Sequence, residues 1–527
     1  HLPRALANLK PATAPTMTWL NRFNPIPTFP AYTGPYKVGS VDVEIPTSQL
    51  TSPSDQSDAS SCPNIPTVAF RMFYPAKADS NQRGVKWIHT PQREVVGAYA
   101  RFLGARSSLA GLFSLFPQTL YYVEIPVHSN AHMLEPPTDT KRWPVMIFSH
   151  GLGGSRNAYS HICGSLASHG IVVVAPEHRD GSAPISFVHT PDEKEKIQRI
   201  DYVKVPHTAS TETYEARDKQ LRTRLWELGL IHDAILKLDS GASLSNVAPS
   251  TSKHTANLPM FANTLNIHSP GAISLAGHSF GAATMIQFAK SVYYNPTAST
   301  APSSYKPLFT PIPNSPLTQQ ITPKTPIILL DLWALPIESP STHWLRTQPM
   351  PCYAPSNPTG GATLLAILSE AFYKWNANFT LTKRILSPPP PSSSSGETKQ
   401  PGPHIFYPIH SAHLSQSDFG VLFPWVTTKF LGAKEPERVL RLNTRAVLQT
   451  LRNAGVKVAR TSWADLEMEE EGGTEGVLED DERILSTVKD GVRGWICLSV
   501  EGEGNGVVKE VDGGQEEAEG KGVEVGR

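Results

Sequence analysis

The sequence predicts an α/β fold: a mostly parallel, doubly wound sheet with helices on both faces. Three observations carry this. Short apolar runs rich in Val, Ile and Leu recur at wide spacing along the 527-residue chain. Most are apolar on both faces, as central parallel strands covered from either side must be. The gaps between them have room for crossover helices, and one gap carries a clear helical stripe.

Residues 1–34 are Pro-rich and irregular. "YKVGSVDVEIP" (36–46) and "TVAFRMFYP" (67–75) predict two strands joined by a Ser/Asp-rich loop. The buried-type runs follow: "WPVMIFSHG" (143–151), "GIVVVAPEH" (170–178), "GAISLAGHS" (271–279), "TPIILLDLW" (325–333), "GATLLAILS" (361–369) and "HIFYPIHS" (404–411). Within 213–239, Leu221, Leu225, Leu228, Ile231, Ile235 and Leu238 fall at steps of three and four, and Gly241 follows as a stop. Residues 240–270, 296–324 and 387–403 are rich in Pro, Ser, Thr or Asn and show neither period, so they are expected to be surface insertions. The predicted organisation is one catalytic-sized domain over 35–460 and an acidic, Gly-rich, largely flexible tail over 465–527, of which only 483–500 has the composition to order.

Composition narrows the class. With 39% hydrophobic and 18% charged residues the chain can bury a core, so its 48 prolines point to long loops rather than to disorder throughout. Formal net charge is zero, but residues 465–527 hold 19 acidic and 6 basic residues, leaving 28 acidic and 41 basic in the remainder. A basic body with an acidic tail reads as a solvated surface with a solubilising tail, or as a body attracted to anionic membranes for which the tail competes. Cys62, Cys163, Cys352 and Cys497 are far apart and form no C-x-x-C pair, which argues against a disulfide framework or a zinc site and fits a reducing compartment. The sequon Asn378-Phe379-Thr380 points only weakly to secretion, and no apolar run is long enough to span a bilayer. The chain begins at His1, so a leader segment could be missing; a cytoplasmic protein with peripheral membrane association is the favoured expectation, with secretion as the alternative.

The chemistry centres on "ISLAGHSFGAATMIQF" (273–288), with Ser279 inside G-H-S-F-G. The motif alone is weak, but a buried-type strand precedes it and a helix-forming segment follows, which is the setting of a nucleophile elbow in an α/β-hydrolase fold. Gly277 and Gly281 leave room where the backbone turns sharply. A serine needs a base and an acid in support, and in this fold they follow in the order Ser, Asp or Glu, His, at strand C-terminal ends. Asp331 follows "TPIILL" and His413 follows "HIFYPIHSA", with His404 and His410 as nearby alternatives to the latter. The oxyanion requires two backbone N–H donors. Phe280, after the nucleophile, is one; Leu152 is the other, in the loop "FSHGLGGSRNAYS" (148–160), where Gly151, Gly153 and Gly154 permit close approach. The loop lacks G-x-G-x-x-G spacing, which disfavours a dinucleotide site. "HSAH" (410–413) has no third ligand nearby, so no metal or other cofactor is expected.

These segments together resemble the platelet-activating factor acetylhydrolases of the plasma and type II intracellular kind. "FSHGLGGSRNAYSHICGSLASHGIVVVAPEHRDGSA" (148–183) is similar to that family's oxyanion loop and the E-H-R-D strand after it. "AGHSFGAAT" (276–284) is similar to its nucleophile segment, with Ala282 where a third Gly is usual. "LDLWALP" (330–336) resembles its acid segment, which implies Asp331, and "SAHLSQSDF" (411–419) resembles its histidine segment, which selects His413. Weaker similarity covers "FRMFYP", 86–104 and 367–379, so the resemblance spans roughly residues 35–455 with insertions. The lengthened Ser279–Asp331 and Asp331–His413 intervals depart from the family and bear on pocket shape and access, and the tail has no counterpart.

The resemblance implies a calcium-independent serine esterase acting on the sn-2 acetyl, or a short or oxidised acyl group, of a phospholipid at a membrane or micelle surface. No nucleic-acid partner is implied. The apolar segment 97–122, with Arg101 and Arg106, could lie in a membrane interface or cap the active site against the core. His178 and Arg179 in "PEHRD" could shape the pocket or pair with Glu177 and Asp180. The competing expectations are a serine hydrolase of other esters or of peptides on the same fold, and a catalytically inactive hydrolase fold that serves as a binding scaffold.

Overall fold

The computed structural model describes residues 26–55, 62–104, 117–190, 197–249, 256–391, 399–467, 480–488 and 491–501. The start of the Pro-rich N-terminal segment, the middle of 97–122, parts of the insertions 240–270 and 387–403, and the acidic stretches 468–479 and 502–527 lie outside the described residues.

Each long apolar run forms a strand. β1 (Lys37–Pro46) and β2 (Thr67–Ala76) pair antiparallel along their whole length. β3 (Trp143–Ser149), β4 (Val172–Pro176), β5 (Ile273–His278), β6 (Ile327–Leu330), β7 (Leu364–Ile367) and β8 (His404–Pro408) run parallel, and β9 (Trp495–Leu498) closes the edge antiparallel to β8. Across the sheet the order is β9-β8-β7-β6-β5-β3-β4-β2-β1, with the short His128–Ser129 strand beyond β1. This mixed, mostly parallel order is the α/β-hydrolase architecture expected from the sequence.

The parallel strands are apolar throughout because successive side chains enter two different cores. Val145 and Ile147 of β3, Val172 and Val174 of β4, Leu275 of β5 and Leu329 of β6 belong to one. Met146, Phe148, Val173, Ala276, Ile328 and Leu330 belong to the other. The first core is covered by α3 (Thr211–Asp239) and α4 (Phe280–Tyr293), the second by α1 (Gln92–Leu103), α2 (Ser160–Ser168) and α5 (Pro436–Asn453). All six stripe residues of α3 are buried, each contributing about 1.5–3 kcal/mol. Ser210 caps its N-terminus by accepting the Thr213 N–H. At its other end Gly241, at φ 77°, donates to the Leu238 carbonyl and Ala242 to that of Lys237, the left-handed stop anticipated from sequence.

Two segments depart from the sequence reading. Residues 296–324, expected as a surface insertion, include a short helix (Pro316–Gln320) and bury Leu308, Phe309, Leu317 and Ile321. Isolated anchors of this kind leave no period to detect. The acidic tail begins as a clamp: Arg445 of α5 makes a bidentate pair with buried Asp481 (2.7 and 2.9 Å), and Asp465 accepts from the Thr33 hydroxyl at 2.7 Å. The buried guanidinium requires a counter-charge, so these acids fold against α5 while composition alone reads them as solvated. Among the described residues no helix is long and apolar enough to cross a membrane.

One buried carboxylate ties the His413 region to the rest. Asp418 accepts from the Ser160 N–H (3.0 Å) and Oγ (2.6 Å), the His161 N–H (2.9 Å) and the Trp87 indole (3.0 Å). It thereby locks the turn that follows His413 onto the N-terminus of α2. Asp418→Ala leaves those donors without an acceptor, and urea unfolding should show a loss of about 3 kcal/mol, with Asp418→Asn losing less.

Candidate active site

Ser279 sits between β5 and α4 at φ 55° and ψ −117°, a backbone conformation that costs a non-glycine residue about 1–3 kcal/mol. The surroundings enforce it. The Ser279 N–H donates to the Leu330 carbonyl at 2.9 Å, and its own carbonyl accepts from Ala283 at 3.2 Å as α4 begins. The turn closes only because two positions lack Cβ. At Gly281 a Cβ would stand 2.0 Å from the Ser149 carbonyl oxygen, and at Gly277 2.4 Å from that of Gly281. Ala282 is helical and buried, so its methyl replaces a glycine without strain.

Asp331 and His413 come from separate strand ends and meet. The His413 Nδ1–H donates to Asp331 Oδ2 at 2.8 Å. Asp331 Oδ1 accepts the Ser369 N–H, and the Asp331 N–H bonds the Ile367 carbonyl at 2.8 Å, so the carboxylate is fixed from two sides. The imidazole lies between two rings: Phe372 stacked at 4.4 Å and 6°, and His278 at 4.3 Å and 31°. Of the alternatives, His404 lies in β8, and His410 is exposed with Nδ1 4.0 Å from Glu370.

The loop after β3 passes beside the elbow. At Gly151 an added Cβ would lie 3.1 Å from that of Ser279. The Gly151 N–H donates to the Tyr159 hydroxyl (3.1 Å), that of Gly153 to the Ser182 carbonyl (2.8 Å) and that of Gly154 to the Gly151 carbonyl (3.0 Å). Gly153 has φ 73°, which favours glycine. Among the described residues the Leu152 N–H alone in this run has no acceptor. The Phe280 N–H opens α4 and is one of that helix's unpaired donors.

Sequence reading missed the residues that brace these groups. Tyr159 donates to His278 Nδ1 at 2.6 Å, linking the loop to the residue before Ser279. The "PEHRD" side chains do not pair with one another: Glu177 bonds Arg156 (2.9 Å), His178 meets Glu227 (2.6 Å), Arg179 bonds Glu44 (2.7 Å) and Asp180 bonds Arg224 (2.8 Å). Each partner comes from another part of the chain: Glu44 from β1, Glu227 and Arg224 from α3, and Arg156 from the loop after β3. The G-H-S-F-G match could have flagged His278, but nothing local marks Tyr159 or Glu227. Burial pushes the Glu227 carboxyl up to about 8 and holds His178 well below the usual imidazole range. Burial likewise keeps His278 neutral.

Ligand atoms of His278, Asp331 and His413 lie within 4.8 Å of one another, close enough to suggest a metal centre. Nδ1 of both histidines and both carboxylate oxygens already have partners, whereas the buried His278 Nε2 has none. His278 Nδ1 faces Tyr159, and both Asp331 oxygens accept hydrogen bonds, one of them from His413. The set orients the His413 imidazole and packs it on His278, the residue before Ser279, which suits nucleophilic acyl transfer.

The family model described as "Platelet-activating factor acetylhydrolase, isoform II" matches residues 22–472. A Schizosaccharomyces pombe protein named "Putative phospholipase A2" is 29% identical over 81% of this chain and 92% of its own length. Platelet-activating factor acetylhydrolases of Cavia porcellus and Bos taurus are 32% and 31% identical over 49% and 41% of this chain, and the matches span 52% and 45% of those proteins. A solved ferulic acid esterase from Streptomyces cinnamoneus aligns at a TM-score of 0.45 and 13% identity, over 81% of this chain and 92% of its own.

The close packing at the elbow predicts that Gly281→Ala loses about 3 kcal/mol in urea unfolding, whereas Ala282→Gly changes stability by no more than about 1 kcal/mol.

Proposed function

The chain belongs to the platelet-activating factor acetylhydrolase family, and from that premise we propose a calcium-independent serine esterase that removes the sn-2 acetyl, or a short or oxidised acyl group, of a glycerophospholipid. The observation that carries this reading is the 2.8 Å bond between buried Asp331 and His413; it is supported by the packing of the His413 ring on His278, the neighbour of a serine held at positive φ. In this reading His413 takes the proton of Ser279 as the hydroxyl oxygen attacks the ester carbonyl. Asp331 keeps Nδ1 protonated and stabilises the imidazolium. The N–H groups of Leu152 and Phe280 hold the negative oxygen of the tetrahedral intermediate. Collapse expels the lyso-lipid alkoxide, which takes the proton from His413. Water, deprotonated by the same imidazole, then attacks the acyl-enzyme and releases the carboxylate and Ser279. The residues complete this cycle without a metal.

A lipid substrate has to be met at a surface. The helix Pro424–Leu431, in the chain segment after His413, leaves Trp425 63% and Phe430 37% exposed. The Lys429 ammonium lies 4.8 Å and 5.5 Å from their ring centroids. Two exposed aromatics with a lysine suit the boundary between acyl chains and anionic headgroups, and this accords with the excess of basic residues before the tail.

Two measurements test the reading. Across a phosphatidylcholine series that varies only in sn-2 length, kcat/KM should be greatest for acetyl and fall as the chain lengthens, and His413→Ala should lower kcat on the order of 10⁴-fold or more; a preference for long chains or for triglycerides contradicts it. In vesicle sedimentation with anionic lipid, Trp425→Ala combined with Phe430→Ala should weaken binding about tenfold or more while turnover of a water-soluble ester is kept.

A further inference from the structure

Arg224 of α3 is 0% exposed and lies directly behind the loop and the elbow. Its Nε donates to Asp180 Oδ2 at 2.8 Å, and Nη2 donates to the Ser182 hydroxyl at 2.7 Å. Nη1 donates to the His150 carbonyl at 2.8 Å, with the Ser149 hydroxyl at 3.4 Å and the Thr284 hydroxyl at 3.3 Å. The guanidinium carbon lies 4.2 Å from the centroid of the Phe280 ring.

These contacts reach both segments that carry the two N–H donors. His150 enters the loop that carries Leu152. The Ser182 carbonyl holds that loop by accepting the Gly153 N–H. Phe280 carries the second donor, and Thr284 lies on the first turns of α4. One rigid planar cation therefore bonds the first segment in its plane and packs its face on the second. A lysine ammonium, with three donors on one atom and no plane, cannot do both.

A fully buried Arg–Asp pair adds little net stability over a well-packed apolar replacement, because both charges are desolvated. Its geometry gives it another use. Oxyanion donors act only when both lie within about 2.7–3.1 Å of the developing charge, and a misplacement of about 1 Å can cost about a hundredfold in rate. We propose that Arg224 is a positioning residue that sets the separation of the Leu152 and Phe280 N–H groups. The inference rests on the esterase reading above.

The test compares two soluble esters that differ only in C=O against C=S. Sulfur is a larger and weaker acceptor and draws little from a hole shaped for oxygen. For Arg224→Lys, kcat on the oxygen ester should fall on the order of a hundredfold with KM within about twofold, while the thionoester loses no more than about a tenth of that factor. Should Arg224→Lys not fold, Arg224→Gln with Asp180→Asn removes both buried charges together and takes the same test. Equal losses on the two esters, a change confined to KM, or an unchanged kcat overturns the clamp while leaving the esterase reading intact. A wild-type protein that turns over neither ester overturns both.

Discussion

The structure depends on one sharp turn. Ser279 joins a buried strand to a buried helix at φ 55°, and the turn holds because its neighbours leave no alternative. Gly281 lies against the Ser149 carbonyl and Gly277 against Gly281, so the strand, the helix and the loop after β3 meet at a single point. Local strain of about 1–3 kcal/mol is sustained by the two cores on which the strands and helices are built.

A second layer is electrostatic. Buried polar groups around the site are matched by partners distant in sequence: Asp418 with α2, Arg224 with Asp180, His178 with Glu227, Tyr159 with His278. A buried group without a partner costs more than its hydrogen bond contributes. Each link therefore constrains the geometry strongly while adding little net stability. The site is held by a scaffold of such constraints, and the His413 ring, between Phe372 and His278, has little freedom left to turn.

Much of this is legible in the chain. Strands buried on both faces give near-continuous apolar runs, and the α3 stripe has a period, so both stand out. Ser279, Asp331 and His413 lie at strand ends where chemistry is expected. What is not legible has no local signature. Leu308 and Phe309 anchor a stretch that has no period, and Asp481 is one acid among many until Arg445 is found facing it. The side chains of "PEHRD" invite pairing among themselves, but each is held by a residue from another part of the chain. Selection of His413 over His404 and His410 required family likeness; in space it is the imidazole bonded to Asp331.

The measurement that bears most directly on the central claim is mass spectrometry of the protein after reaction with a fluorophosphonate ester. The account predicts a single adduct on the peptide carrying Ser279, lost in Ser279→Ala and formed far more slowly in His413→Ala. An unmodified Ser279, or labelling that persists in Ser279→Ala, would contradict it.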